Sequence, residues 1–288
     1  MILVTGATGN LGKATIHSLL NRGIAPNEIT ALVRDESRSA ELKSKGLQIR
    51  PGDYQDFESL KRAFQGVDKL LLVSSSSDIS KRFEQHKNAI NAARETGVGH
   101  IIYTSFDMKN LQQSIMGDEV RYHAYTADYL KQIGIPYTLM DNTMYADMIP
   151  FLSGKDILNN GISIPAGDGR TPFLPIAEMA ETLAVVLTTP GHENKEYSIA
   201  AETAFSFAEI ADLLSDITGK TIAYHQPEIS SYIAQLIQTG ASEEDAAYIA
   251  RFCGAIAKGE FDTNKSDVKQ LLGRSPISLK DFLQNIYS

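Results

Sequence analysis

The chain has 288 residues, of which 43% are hydrophobic and 22% are charged, as in an ordinary globular protein that is long enough to bury a sizeable core. Its net charge of −8 at pH 7 opposes binding to nucleic acids and to anionic membranes. The single cysteine, Cys253, excludes a disulfide within the chain, the six scattered histidines indicate no metal site, and no apolar run is long enough to span a bilayer. Because the first residues already read as a strand, we expect no signal peptide and a cytoplasmic location.

The first predicted elements are a short apolar strand, a loop with three glycines, and a helix. The helix runs from about Leu11 to Asn21, so its N-terminus would lie beneath a bound pyrophosphate and favour the anion. A second strand follows at Ile29–Val33 and completes the strand–loop–helix–strand order that a dinucleotide site requires. The cofactor-binding residues predicted in this loop are Gly6, Thr8, Gly9, Asn10, Leu11 and Gly12.

The residue after the second strand indicates which dinucleotide binds. An acidic residue at this point selects NAD, whereas a basic residue accommodates the 2′-phosphate of NADP. The residue is Arg34, whose guanidinium can hold a phosphate through two hydrogen bonds. We therefore expect NADP(H) to be preferred, while NAD(H) stays possible because Asp35 follows directly and could bind a ribose hydroxyl.

Alternating helices and strands continue to about residue 140. Ligands of open parallel sheets bind outside the carboxyl ends of the strands, so Asp53 is a candidate for the adenine amino group or, equally, a turn-forming residue. Ser74 and Ser75 follow the next strand and suit a backbone that passes close to the cofactor. Six strands in this order predict an α/β fold with a Rossmann-type, doubly wound parallel sheet. The further strands are predicted at residues 47–50, 69–73, 100–105 and 136–140, and the further helices at 37–45, 56–64, 79–96 and 121–133.

The pattern changes near residue 150, where shorter elements and turn clusters begin. We place the NAD(P)-binding domain at residues 1–150 and a smaller, mostly helical substrate-binding lobe at 151–288. A helix near 176–187 is expected to pack back on the first domain. Strands near 196–199 and 221–225 are assigned to the smaller lobe.

A catalytic pair that is typical of short-chain dehydrogenases is absent. Tyr-x-x-x-Lys on a helix places an ammonium one turn from a phenol and depresses the pKa of that phenol for proton transfer. None of the twelve tyrosines has a lysine four residues later. This argues against alcohol dehydrogenation and sugar epimerisation, and it leaves hydride delivery to an acceptor that is already electron-poor, such as a quinone or a cationic dye.

Six motifs are spread along the chain: Thr5-Gly6-Ala7-Thr8-Gly9-x-Leu11-Gly12, Val33-Arg34, Gly52-Asp53-Tyr54, His123-x-x-Thr126, Asn142-x-x-Tyr145 and Gly191-His192-Glu193-Asn194-Lys195-x-Tyr197. Together they resemble the NmrA-like atypical short-chain reductases, in particular the type-2 NAD(P)H:quinone oxidoreductases and triphenylmethane reductases. The resemblance covers essentially the whole chain. It implies a subunit that uses NADPH without flavin, reduces quinones or related conjugated acceptors directly, and contacts the 2′-phosphate through Arg34.

Two positions depart from the pattern of this family. Similar members often carry Glu directly after the threonine of the His-x-x-Thr motif, where this chain has Ala127. Relatives tend to carry Arg before Asn142, where this chain has Asp141. Whatever the glutamate does in those relatives is therefore in question for this chain. The same holds for the attraction of an anionic acceptor, because Asp141 replaces a positive charge by a negative one.

Three residues are the candidate catalytic groups. His123 could donate a proton to a reduced acceptor, or it could be a solvated or capping histidine. Asn142 and Tyr145 follow the sixth strand and could line a substrate pocket or simply pack. Phe106 could form a wall beside the nicotinamide or belong to the core.

Two functions of different classes are consistent with these residues. The first is an NADPH-dependent reductase of quinones or similar small-molecule acceptors, without direct nucleic-acid or membrane partners, acting as a monomer or homodimer. The second is a non-enzymatic NAD(P)-binding redox sensor of the NmrA type. A sensor would bind oxidised and reduced cofactor differently and turn over nothing.

Overall fold

The computed structural model describes residues 1–153 and 156–288, and a seven-stranded parallel sheet runs through its centre. A second sheet of two parallel strands lies apart from it. The strands are β1 Ile2–Val4, β2 Ile29–Val33, β3 Gln48–Pro51, β4 Lys69–Leu72, β5 His100–Phe106, β6 Tyr137–Asn142, β7 Ile162–Ser163, β8 Lys195–Ile199 and β9 Tyr224–His225.

Helices cover both faces of the main sheet and form most of the remaining structure. Three short 3-10 helices lie at Pro26–Glu28, Glu36–Ser39 and Ala146–Met148. The α-helices are α1 Asn10–Asn21, α2 Ala40–Ser44, α3 Phe57–Phe64, α4 Ile79–Glu95, α5 Asp118–Ile133, α6 Ile149–Ser153, α7 Ile157–Asn160, α8 Ile176–Thr188, α9 Phe207–Thr218, α10 Ile229–Gln238, α11 Glu243–Ala257, α12 Val268–Leu272 and α13 Leu279–Tyr287.

The strand order is β3-β2-β1-β4-β5-β6-β8, and every neighbouring pair is parallel. The chain begins in the middle of the sheet, winds outward through β2 and β3, and then returns to the other side of β1. The predicted Rossmann-type, doubly wound sheet is therefore confirmed. The switch between β1 and β4 opens a crevice at the carboxyl ends of these strands, where ligands of such sheets bind.

Successive strand residues point to opposite faces, so each strand contributes to two cores. Val4 packs with α1 and α8, whereas its neighbour Leu3 packs with α3 and α4. This two-sided burial explains the apolar runs of the central strands β1 and β4. Helix α8 lies against α1, although it follows β6 in the chain.

The placement of β8 corrects one expectation. This strand was assigned to the smaller lobe, but it pairs with β6 and forms the seventh strand of the main sheet. Its sequence, Lys-Glu-Tyr-Ser-Ile, is mostly polar because it forms an edge strand with one side open to water. It therefore lacks the apolar run by which the other parallel strands were recognised.

A separate core holds the smaller lobe together. Three fully buried aromatic side chains, Phe173, Phe207 and Phe261, pack there with Cys253 from α11. The division of the chain at residue 150 stays a prediction. Two elements beyond that residue, α8 and β8, belong to the main sheet and its helical layer. Within the described ranges, no helix combines the length and the apolar character needed to cross a membrane.

Candidate active site

The glycine loop between β1 and α1 is shaped for close approach by a ligand. Gly6 has a φ of +58°, and its carbonyl oxygen accepts a hydrogen bond of 2.9 Å from the N–H of Gly9. A Cβ at Gly12 would collide with that same carbonyl oxygen. Helix α1 begins after Gly9 with neither a side-chain cap nor an acidic residue in its first turn. Its unpaired N–H groups and positive dipole end are therefore available to an anion.

The other predicted residues of this loop differ in what they offer. The side chain of Leu11 is buried beneath α1 in the sheet core, which leaves its backbone N–H for a ligand. Thr8 is half-buried and Asn10 is exposed, and neither side chain has a hydrogen-bond partner among the described residues. The loop thus presents backbone donors together with two free polar side chains.

A basic depression lies at the carboxyl ends of β2 and β3. Arg34 is exposed there and forms no ion pair with the described part of the chain, and Arg62 lies in the same depression. Arg50 is fixed by hydrogen bonds to the carbonyl oxygens of Ala63 (2.6 Å) and Gln65 (2.8 Å). The depression therefore offers the two exposed guanidinium groups of Arg34 and Arg62 to a phosphate.

The two acidic candidates at this end already have local partners. Asp35 accepts a hydrogen bond of 2.9 Å from the N–H of Ser37, and hydrogen bonds from Ser37 hold the pKa of Asp35 below its usual range. Its carboxylate therefore caps the 3-10 helix that follows. Asp53 accepts a hydrogen bond of 2.9 Å from the N–H of Gln55, which is the turn-forming role, while it also lines the basic depression.

A cavity of about 320 Å³ lies at the carboxyl ends of β4, β5 and β6. Its floor comes from the sheet, and α5, α11 and the segment after β6 form its walls. Most of the lining is aromatic or aliphatic, with a few polar groups, as in sites for small ligands. The lining residues are Val73, Ser74, Arg82, Thr104, Ser105, Phe106, Glu119, Val120, Tyr122, His123, Asn142, Thr143, Met144, Tyr145, Met148, Leu152, Tyr248 and Phe252.

The two candidate serines point in different directions. Ser74 lines the cavity, and its N–H donates a hydrogen bond of 2.9 Å to Oγ1 of Thr104. Ser75 does not line the cavity. Its hydroxyl donates a hydrogen bond to the side chain of Gln85, and its N–H donates one to Nε2 of His86. Of these two serines, only Ser74 lies where it could contact a ligand in the cavity.

His123 is buried, with 7% of its surface exposed, and it lines the cavity. Its Nδ1 lies 2.9 Å from the hydroxyl of Tyr103, and its ring stacks on Phe106. The interpretation as a solvated or capping histidine is therefore wrong. Burial, with smaller contributions from His86 and Arg82, holds the pKa of His123 well below its usual range. The ring is neutral at physiological pH, so an imidazolium acid is not available here.

Asn142 ends β6, with 2% of its surface exposed, and it lines the cavity. Neither Nδ2 nor Oδ1 of its amide has a hydrogen-bond partner among the described residues, and the same holds for Oγ1 of Thr143 beside it. A buried polar group without a partner costs about 1–3 kcal/mol. A ligand that pairs with this amide would recover that free energy, and packing alone gives no reason for the residue.

Tyr145 and Phe106 complete the set of sequence candidates. Burial raises the pKa of Tyr145 to about 12, so its phenol stays neutral. Phe106 lines the cavity and also packs edge-on against Phe261 of the lobe core. It therefore belongs both to the cavity wall and to the core of the smaller lobe, and its place beside the nicotinamide stays a prediction.

Several lining residues were not predicted from the sequence. Arg82 donates a hydrogen bond of 2.9 Å to the hydroxyl of Tyr122, and its guanidinium lies over that ring. Tyr248 and Phe252 reach the cavity from α11, more than a hundred positions from the strands that form the floor. No local motif marks these three positions, because Arg82 comes from α4 and the other two residues from α11, and only the tertiary fold brings these helices to the cavity.

Neither departure from the family pattern contributes to the cavity lining. Ala127 packs in the core between the sheet and α4. Asp141 is half-buried between β5 and β8, and burial raises the pKa of its carboxyl to about 7. In the described part of the chain, no group of three or more His, Cys, Asp or Glu side chains is arranged to hold a metal ion.

The chain is similar to known proteins over its whole length. The model of the NmrA-like family matches residues 1–283. Quinone oxidoreductase 2 of Escherichia coli strain K12 is 34% identical over 290 residues, which cover 100% of this chain and 99% of that protein.

Two solved structures share the architecture. The NADPH-dependent quinone oxidoreductase of Escherichia coli, complexed with NADPH, has a TM-score of 0.92 and 31% identity, with 100% of both chains covered. The triphenylmethane reductase of Citrobacter sp., complexed with NADP(H), has a TM-score of 0.91 and 33% identity, with 99% of both chains covered. The resemblance inferred from the motifs is thereby confirmed. The chain belongs to the NmrA-like family.

Proposed function

We propose that the chain is an NADPH-dependent reductase that delivers hydride directly to a quinone or a similar electron-poor conjugated acceptor, without flavin. The observation that carries this proposal is the cavity at the carboxyl ends of β4–β6, on the same sheet edge as the glycine loop. A dinucleotide held by that loop extends along this edge, so its nicotinamide end reaches the cavity.

The residues of the glycine loop fit a dinucleotide. Gly12 lets α1 lie against the carbonyl oxygen of Gly6, which any Cβ would meet, and the free N-terminus of α1 suits a pyrophosphate. Arg34 and Arg62 suit a 2′-phosphate, while the carboxylate of Asp35 is engaged in its cap. NADP(H) is therefore the preferred cofactor and NAD(H) the weaker one. The two solved relatives, complexed with NADPH and NADP(H), support this choice.

The chemistry of the cavity favours an acceptor that needs no proton from the protein. A bound reduced nicotinamide supplies a hydride, which converts a quinone to a hydroquinone anion that takes its proton from water. His123 and Tyr145 are neutral hydrogen-bonding groups rather than strong acids. The walls exclude water and hold a flat ring in place, so much of the rate enhancement comes from positioning. The amide of Asn142 is available to a carbonyl or carboxamide group.

The test is a cofactor-oxidation assay with protein purified without flavin. NADPH and NADH are each followed by absorbance against simple quinones and cationic dyes, and the reduced product is quantified against the cofactor consumed. We expect one product per NADPH and slower turnover with NADH. Activity that requires added flavin would contradict direct transfer. Tight cofactor binding with no turnover across the panel would instead favour the redox-sensor function.

A further inference from the structure

A chain of buried hydrogen bonds runs from the backbone after β4 to the cavity. The N–H of Ser75 lies 2.9 Å from Nε2 of His86. Nδ1 of His86 lies 3.0 Å from Oγ1 of Thr126 and 3.4 Å from the hydroxyl of Tyr103. That hydroxyl lies 2.9 Å from Nδ1 of His123. His86 and Tyr103 are both fully buried, and neither lines the cavity.

The first histidine can satisfy these partners in only one form. A backbone N–H is always a donor, so Nε2 of His86 must accept from Ser75 and its proton must lie on Nδ1. That proton is donated to Thr126, whose own hydroxyl donates at 2.7 Å to the carbonyl oxygen of Tyr122. A doubly protonated His86 would set a ring N–H against the N–H of Ser75. The backbone therefore fixes His86 as the neutral Nδ1–H tautomer.

This tautomer decides where the proton of Tyr103 goes. Two ring nitrogens lie within hydrogen-bond distance of the hydroxyl of Tyr103, Nδ1 of His86 and Nδ1 of His123, and the side chains of Thr126 and Ser74 also interact with it. Nδ1 of His86 already carries a proton and cannot accept, so Tyr103 donates to His123. Nδ1 of His123 is then the acceptor, and the proton of this ring lies on Nε2. In this arrangement every proton along the hydrogen bonds from Ser75 to Nδ1 of His123 has an acceptor.

We infer that His86 and Tyr103 are positioning residues that hold His123 as its neutral Nε2–H tautomer, so that a hydrogen-bond donor faces the acceptor in the cavity. Nε2 has no partner in the described part of the chain, and the residue lines the cavity. The inference rests on the proposed reductase function. It assigns His123 the task of donating a hydrogen bond to the acceptor oxygen on which negative charge develops. No proton is transferred from the ring; the proton of the product comes from water.

The charges around the two rings agree with this arrangement. Burial and, to a smaller extent, the guanidinium of Arg82 lower the pKa of His86 to about 3. The titratable or charged groups that influence the pKa of His123 are His86 and Arg82, and the rings of Tyr103 and Tyr122 pack on its ring. The same tautomers are therefore expected from pH 6 to pH 9.

The test reads the tautomers directly in the full, unliganded chain labelled with ¹⁵N-histidine. Long-range ¹H–¹⁵N correlation spectra identify the protonated ring nitrogen, and His86→Gln and His123→Gln variants assign the signals. We expect a protonated Nδ1 in His86, a protonated Nε2 in His123, and no titration between pH 6 and pH 9. A protonated Nε2 in His86 or a protonated Nδ1 in His123 would overturn the inference, whether or not a substrate is known.

The catalytic consequence is tested with Tyr103→Phe, and Tyr137→Phe is the matched control because this half-buried tyrosine lies on β6 outside the cavity. We expect Tyr103→Phe to shift Nδ1 of His123 toward a free imine nitrogen and to lower kcat about tenfold, the effect of one neutral hydrogen bond, with the KM for NADPH unchanged. An active Tyr103→Phe enzyme with unchanged kcat would refute the positioning role and leave the reductase function standing. If Tyr103→Phe does not fold, the wild-type spectra still decide the tautomers.

Discussion

Replacing Asp141 by asparagine is expected to stabilise the fold, and to do so more at pH 8 than at pH 5. Asp141 lies in β6 between Ser105 of β5 and Ser198 of β8. Burial, together with the nearby charges of Asp107 and Glu196, raises the pKa of Asp141 to about 7, and hydrogen bonding from Ser105 opposes this. The native state therefore holds this proton more tightly than the unfolded chain does.

The magnitude follows from the two pKa values. The ordinary pKa is 3.8 and the native pKa is about 7, and each pH unit between them corresponds to about 1.4 kcal/mol. Well below pH 4 the carboxyl is protonated in both states and does not change the free energy of unfolding. As the pH rises toward 7, the unfolded chain releases its proton first and stability is lost. The loss is about 2 kcal/mol at pH 5 and about 4 kcal/mol at pH 8, as upper bounds for a half-buried carboxyl.

The assay is urea unfolding of the wild type, Asp141→Asn and Asp212→Asn at pH 5 and pH 8. Asp212 is an exposed aspartate on α9 without an ion pair among the described residues, so its variant controls for the change in net charge. We expect the stabilisation by Asp141→Asn, corrected by this control, to be larger by roughly 2 kcal/mol at pH 8. A difference that does not depend on pH, or that equals the control, would refute the assignment of a raised pKa to Asp141.

Three further predictions concern the proposed ligand sites. Gly12→Ala is expected to abolish NADPH binding in a fluorescence titration and to lower stability by about 2 kcal/mol in urea, because its Cβ meets the carbonyl oxygen of Gly6. Arg34→Ala is expected to weaken NADPH about tenfold or more and NADH much less; equal weakening, or the same effect from the neighbouring exposed Arg38→Ala, would refute its role at the 2′-phosphate. Asn142→Leu is expected to raise the unfolding free energy of the unliganded protein by about 1 kcal/mol, since it removes an unpartnered amide, and to weaken ligand binding in the cavity. A destabilised Asn142→Leu protein that binds normally would show that the amide has a structural role.

Local sequence was sufficient for the dinucleotide-binding half of the fold. Strands buried on both faces must be continuously apolar, so β1, β2, β4 and β5 could be identified from sequence alone. The glycine loop is equally readable, because its conformation and close contacts depend on residues that are neighbours in the chain. The edge strand β8 was predicted as a strand but assigned to the smaller lobe, because its mostly polar sequence lacks the apolar run of a strand buried within the sheet.

The interior of the cavity depended on contacts between distant parts of the chain. The sequence nominated His123, Asn142 and Tyr145, and tertiary structure decided what each offers: a neutral imidazole, an unpartnered amide and a neutral phenol. The positions of Arg82 and Tyr248 in the cavity lining could not be predicted, because no local pattern links α4 or α11 to the ends of β5 and β6.

The sequence by itself therefore determined the fold class, the glycine loop and the family resemblance, since these depend on periodicity and on short-range spacing. Only the tertiary structure decided the protonation states of the side chains that line the cavity. Burial sets the pKa of His123, and the direction of each hydrogen bond from Ser75 through His86 and Tyr103 follows from groups that lie in different helices and strands. Desolvation and hydrogen-bond direction are properties of a packed arrangement, and no stretch of sequence contains them.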